Sequence, residues 1–166
     1  MMKSTFTAIL FLMLSSTVAY AQNKETHTKA EKAILETIEL ESEYFWGRNY
    51  DKWASLYIHA PYTVWTSASS EGVSRYEGWE EWRDQVKKLF ENDPDPQPYK
   101  GIVHKYNYNF RIYGKGAWVS FEQMNDGTKT LETRIMEKEN GKWKIAMVEV
   151  IFNANEPISD EGDTGE

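Results

Sequence analysis

Four polar residues in the second half of the chain are of types that can move protons or hold a polar group: His104, Glu132, Arg134 and Glu149. A carboxylate beside an arginine stays ionised, whereas a carboxylate set in an apolar wall has its pKa raised. If Arg134 pairs with Glu132, Glu149 is left as the candidate general base, with His104 or Tyr106 as its proton partner. That set suits proton abstraction next to a carbonyl, or dehydration of a small hydrophobic substrate. The same side chains also have a reading without catalysis. Arg134 bridging two carboxylates satisfies a partly buried network, because buried charges need partners. A single histidine on a strand is commonly a hydrogen-bonded core or rim residue.

Other chemistries are poorly supplied. The chain has no cysteine, which excludes disulfides, cysteine-ligated zinc and thiol nucleophiles. Its three histidines, His27, His59 and His104, lie far apart, and no His-x-x-x-His or carboxylate cluster has ligand spacing. There is no glycine-rich phosphate loop and no Gly-x-Ser-x-Gly elbow. No metal and no cofactor are expected. The formal charge of −7 repels phosphate backbones, so nucleic acid and anionic membrane surfaces are not expected partners.

The elements that position these residues can be read from periodicity and turns. A helix is expected from Lys29 to Gly47, with Ile34, Leu35, Ile38 and Phe45 on one face. A short helix capped by Asn49 or Asp51 follows, then a strand at 61–66 and a polar loop at 67–75. A third helix at 77–91 carries Trp79, Trp82, Val86, Leu89 and Phe90, and the Pro94, Pro96 and Pro98 run ends it. Four long strands, at 99–113, 117–125, 128–139 and 142–153, are joined at Gly114-Lys115-Gly116, Asp126-Gly127 and Asn140-Gly141. Asp-Gly and Asn-Gly are strong hairpin signals, because both residues of a type I′ turn need positive φ. The order of elements gives an α+β fold.

With two-residue turns and unbroken alternation, Arg134 pairs with Met147 and Glu132 with Glu149. One sheet face then collects His104, Tyr106, Tyr108, Phe121, Gln123, Glu132, Arg134, Met147 and Glu149, and this is the face expected under the helices. Trp65 and Tyr62 on the preceding strand are candidate ligand-wall residues, since pockets are mostly apolar with few polar groups. The opposite face gathers Leu131, Ile135, Val148, Val150 and Phe152, an apolar patch of the kind that marks association surfaces. A slip of one residue would invert these assignments.

The length of 166 residues fits one domain. Lys3, the apolar run at 8–14 and Ala19-Tyr20-Ala21 match a secretory signal peptide spanning 1–21, cut before Gln22. The stretch from Phe6 to Tyr20 falls short of the roughly 20 apolar residues that span a bilayer, and no cysteine follows for a lipid anchor. The expected product is periplasmic or secreted and free of the membrane after cleavage. It comprises a flexible segment at 22–28, a domain at 29–153 and a disordered acidic tail at 154–166.

The order of elements resembles the nuclear transport factor 2-like (SnoaL-like) superfamily, and local motifs agree. Gly47-Arg-Asn-Tyr-Asp-Lys-Trp-Ala-Ser-Leu-Tyr57 is similar to that family's Trp-x-x-Leu-Tyr entry to its first strand. Glu77-Gly-Trp-Glu-Glu-Trp82 is similar to the Gly-hydrophobic start of its third helix, and Gly114-Lys-Gly-Ala-Trp-Val119 to its glycine turn and Ala-x-Val strand. Thr133-Arg-Ile-Met-Glu-Lys-Glu-Asn-Gly-Lys-Trp-Lys-Ile145 matches its final hairpin. The resemblance covers residues 29–153. It implies a cone, a curved antiparallel sheet covered by three N-terminal helices, with a pocket at the wide end and commonly a homodimer through the outer sheet face. It does not imply one activity, since isomerases, dehydratases, polyketide cyclases, ligand binders and assembly modules share the fold. Many SnoaL-like sequences carry histidine near the end of the last strand, where this chain has Met147 and Glu149. The preferred expectation is therefore an exported domain binding a small hydrophobic molecule. The alternatives are an enzyme using Glu149 or His104 as base, and an interaction module dimerising through Val148, Val150 and Phe152.

Overall fold

A computed structural model describes residues 27–97 and 99–152. The expected signal peptide, most of the flexible segment and the acidic tail lie outside the described residues. The first helix, α1 (Lys29–Trp46), opens with a reciprocal cap: the Glu31 amide donates to Thr28 Oγ1 and the Thr28 amide donates to Glu31 Oε2. This satisfies two amides that have no partner inside the helix. Its buried face carries Ile34, Thr37, Ile38, Glu41 and Ser42, the i, i+3, i+4, i+7 and i+8 positions of one helical stripe. Asn49 caps the short α2 (Tyr50–Ala54) through its side-chain oxygen. The third helix, α3 (Trp79–Asn92), buries Trp79, Trp82, Val86 and Phe90.

The strands are β1 (Val64–Ser69), β2 (Gly72–Glu77), β3 (Val103–Tyr113), β4 (Gly116–Asn125), β5 (Thr128–Glu139) and β6 (Lys142–Phe152). They form one sheet in the order β2-β1-β6-β5-β4-β3. The expected loop at 67–75 is instead the end of β1, the turn and the start of β2, which form a hairpin. The four long strands are antiparallel, and β1 joins β6 in parallel. The sheet is therefore mixed, and one hairpin precedes α3 in the chain.

Asp126, Gly127, Asn140 and Gly141 all have positive φ, the backbone that type I′ turns require. These turns fix the register beside them: Val119 pairs with Arg134, Phe121 with Glu132, Gln123 with Thr130, and Met136 with Ile145. Two irregularities then change the register elsewhere. In β6 the pairing steps from Met136↔Ile145 to Ile135↔Met147, leaving Ala146 as an extra residue. In β3 the pairing steps from Tyr106↔Glu122 to Asn109↔Ser120 around Asn107, whose φ is 56°. An extra residue bends its strand and exchanges the faces beyond it. Hence Val148, Val150 and Phe152 look toward the helices, as does Lys105. The core lies between the helices and this concave side, where Ile34, Ile38, Trp53 and Trp82 meet Val119, Phe121, Met136, Ile145 and Val148.

Candidate functional site

At one end of the concave side, α1 and α3 leave the sheet uncovered enough to form a cavity of about 350 Å³. Phe45 and Trp46 from α1, Trp82 from α3, Trp65 from β1, and Val148, Val150 and Phe152 from β6 make its apolar wall. Trp65 and Trp82 stack with centroids 4.8 Å apart and planes 13° from parallel. Trp65 reaches this wall because β1 runs beside β6 with Trp65 opposite Val148.

The polar floor is a charged network built on β5. Arg134 (4 % exposed) donates from Nη1 to Glu132 Oε2 at 2.9 Å and to the Thr133 carbonyl at 3.1 Å. Glu132 (2 % exposed) also accepts from Thr130 Oγ1 at 2.7 Å and from Gln123 Nε2 at 3.4 Å. Arg134 and Glu132 are two residues apart on one strand, so both point to the same side. From α1, Glu41 (9 % exposed) brings its Oε2 to 3.9 Å from Arg134 Nη2, and its Oε1 accepts from Tyr57 Oη at 2.8 Å. The guanidinium lies over the Phe121 ring, 5.4 Å from its centroid.

Burial works against the Arg134 charge, but Glu132 and Glu41 outweigh it and hold the guanidinium above its usual range. Burial, reinforced by the Glu41 carboxylate, pushes the Tyr57 phenol well above its ordinary value. Tyr57 is thus a fixed donor to Glu41. Among the described residues the buried Trp82 indole N–H has no hydrogen-bond acceptor of ordinary geometry. A second network sits beside the first. Lys105 Nζ bonds Tyr99 Oη at 2.8 Å and Glu39 Oε1 at 3.3 Å, and Tyr108 and Tyr99 both donate to Glu39. Burial lowers the Lys105 pKa, with Glu39 opposing.

Of the residues singled out from sequence, Arg134, Glu132, Gln123 and Trp65 meet at the cavity. Phe121 and Tyr108 face the same side but belong to the core, packed against each other at 5.0 Å. The others are corrected. Glu149 and Met147 pair with Thr133 and Ile135 on the convex face, because the Ala146 bulge reverses the alternation. His104 and Tyr106 pair with Met124 and Glu122 on that face, because the Asn107 bulge does the same in β3. His104 is exposed and bonds the Gly101 carbonyl at 3.2 Å. Tyr62 is 58 % exposed and donates to Glu137 at 2.9 Å. The expected outer patch also changes: Val148, Val150 and Phe152 line the cavity, and the convex apolar residues are Leu131, Ile135, Met147 and Ile151.

Sequence reasoning missed Glu41, although its position seven residues after Ile34 and three after Ile38 places it on the buried helical stripe. Among the described residues no group of three or more histidines and carboxylates could hold a metal ion.

No protein-family model and no curated protein matches this chain. Solved structures do match. An NTF2-like protein of unknown function from Shewanella baltica is 13 % identical, covers 78 % of this chain and 100 % of its own, and superposes with a TM-score of 0.55. A cystatin-like fold protein from Burkholderia xenovorans is 16 % identical over 73 % of this chain and 89 % of its own, with a TM-score of 0.56. A protein from Parabacteroides distasonis, provisionally assigned as a ketosteroid isomerase, is 17 % identical over 69 % and 83 %, with a TM-score of 0.53. The chain therefore has the NTF2-like, cystatin-like fold. At these identities the likeness defines architecture and leaves the activity to the site.

Proposed function

We infer that this protein binds a small hydrophobic molecule in the cone, with the apolar body against the indole wall and one polar end at the charged floor. The observation that carries the reading is a cavity of about 350 Å³ with aromatic and branched walls and a floor of buried charge. That volume lies within the range of small-molecule sites, which run from ~300 to ~1,000 Å³. The test is a thermal-shift and native mass-spectrometry screen with lipophilic probes, run beside Val150→Trp, which fills the cavity. Wild type should retain a probe and melt higher with it, and Val150→Trp should do neither. Equal behaviour of the two proteins would end the reading.

A second reading is proton transfer by Glu41. It is favoured by the place of this carboxylate on the cavity floor beside Tyr57, and by the likeness in fold to the provisionally assigned isomerase. Glu41→Gln should abolish turnover of any identified substrate, and persistence of turnover would exclude it. The protein is also inferred to act outside the cytoplasm after loss of residues 1–21. Mass spectrometry of the protein from its host should give a chain beginning at Gln22, and an uncut chain would refute export by this route.

A further inference from the structure

Negative charge exceeds positive charge in the cavity floor, where Glu41 and Glu132 face Arg134. Arg134 commits Nη1 to Glu132 at 2.9 Å, while its Nη2 stays 3.9 Å from Glu41 Oε2, beyond hydrogen-bond range. Glu41 Oε1 is taken by Tyr57, but among the described residues the one hydrogen-bond donor to Oε2 is Ser42 Oγ, at 3.5 Å. A carboxylate oxygen on a residue nine-tenths buried is thus short of donors, and both Glu41 and Ser42 line the cavity. Withdrawn from water, such an oxygen gains most from a charged donor. Lys105, the neighbouring cation, does not supply it, being engaged by Glu39 and Tyr99.

The walls favour the same kind of guest. Trp46, Trp65 and Trp82 line the hollow, and the faces of indole rings attract cations. An anion would meet surplus negative charge in a poorly solvated place. A neutral molecule would leave Glu41 Oε2, whose ion pair with Arg134 spans 3.9 Å, without a charged hydrogen-bond donor.

Building on the reading that the cavity holds a small molecule, we propose that its ligand is an amphiphilic organic cation. A protonated amine donates to Glu41, and its apolar body lies against Trp65 and Trp82.

The test uses the full mature chain and three probes with one ring system and three end groups: naphthylmethylamine, naphthylmethanol and naphthoate. Binding is read by calorimetry and tryptophan fluorescence. The amine binds about tenfold more tightly than the alcohol, as a charge-assisted hydrogen bond exceeds a neutral one, and naphthoate binds most weakly. Glu41→Gln brings amine and alcohol to parity. Trp65→Leu, at a half-buried site outside the charged network, weakens amine and alcohol alike, because the ring system they share lies against it, and the order of the three probes on wild type carries the charge test if Glu41→Gln does not fold. Alcohol or naphthoate binding as tightly as the amine to wild type would overturn the cation proposal and leave the cavity reading standing. No binding of any probe, with Val150→Trp indistinguishable from wild type, would overturn both.

Discussion

Tyr57 donates its hydroxyl to Glu41 across 2.8 Å, tying the segment after α2 to the middle of α1 at the floor of the cavity. Both residues are buried, so bulk water compensates little for the loss of this bond. Tyr57→Phe removes the donor and leaves a charged acceptor with less compensation. The loss should be about 1.5–3 kcal/mol, the range for hydrogen bonds to charged groups. Urea unfolding of the variant against wild type measures it, and an unchanged midpoint would mean that Glu41 finds another donor.

Arg134 is the cation between two buried carboxylates. Arg134→Met should destabilise the protein by roughly 3–5 kcal/mol, the cost of breaking a buried pair from one side. Removing all three charges, as Glu41→Gln, Glu132→Gln and Arg134→Met together, should recover most of that loss, since no buried charge then remains in this network. The comparison requires chemical denaturation of the single and triple variants at one pH. A triple variant less stable than Arg134→Met would show that the network does more than balance its own charges.

Burial and Glu41 raise the Tyr57 pKa above its ordinary 10.0. Burial and Glu39 raise those of Tyr99 and Tyr108 in the same direction. A phenol with a raised folded-state pKa binds its proton more tightly when folded. Its stabilising effect is complete below the unfolded value and is lost as pH climbs through and beyond it. Stability should therefore fall with rising pH from about 10 upward, with the buried phenols' share of the tyrosinate absorbance appearing in step with unfolding. Tyr57→Phe should shallow that dependence by up to one proton. A urea midpoint independent of pH across this range would contradict the burial of these phenols.

The convex face is inferred to be the dimer interface, now through Leu131, Ile135, Met147 and Ile151 in place of the strand residues that line the cavity. Wild type should sediment as a dimer at high concentration, and Ile135→Lys, at a half-buried position, should sediment as a folded monomer whose melting temperature, unlike that of wild type, does not rise with protein concentration. A monomeric wild type at every concentration would remove the interface.

The residues show where sequence legibility ended. Asp126-Gly127 and Asn140-Gly141 dictate positive φ by themselves, so the pairings beside them, Phe121 with Glu132 and Met136 with Ile145, follow from local chemistry. That is why Glu132, Arg134 and Gln123 could be grouped in advance. The capped α1, the tryptophan stripe of α3 and the four long strands are local in the same sense. The hairpin at 64–77 was less legible because its turn at Ser70-Glu71 lacks an Asn-Gly or Asp-Gly pair and its second strand is mostly exposed.

Local sequence thus determined the three helices, the four long strands, their order and the register near the glycine turns, but not the second strand of the first hairpin. Tertiary structure decided the two bulges, at Ala146 and Asn107. It thereby turned Val148, Val150 and Lys105 inward and set His104, Tyr106, Met147 and Glu149 outward. The reason is the two-residue period of a strand: one inserted residue costs little locally but moves every later side chain to the other face. Helix packing against the curved sheet also brought Glu41 and Tyr57 to Arg134, a meeting that strand alternation alone could not specify.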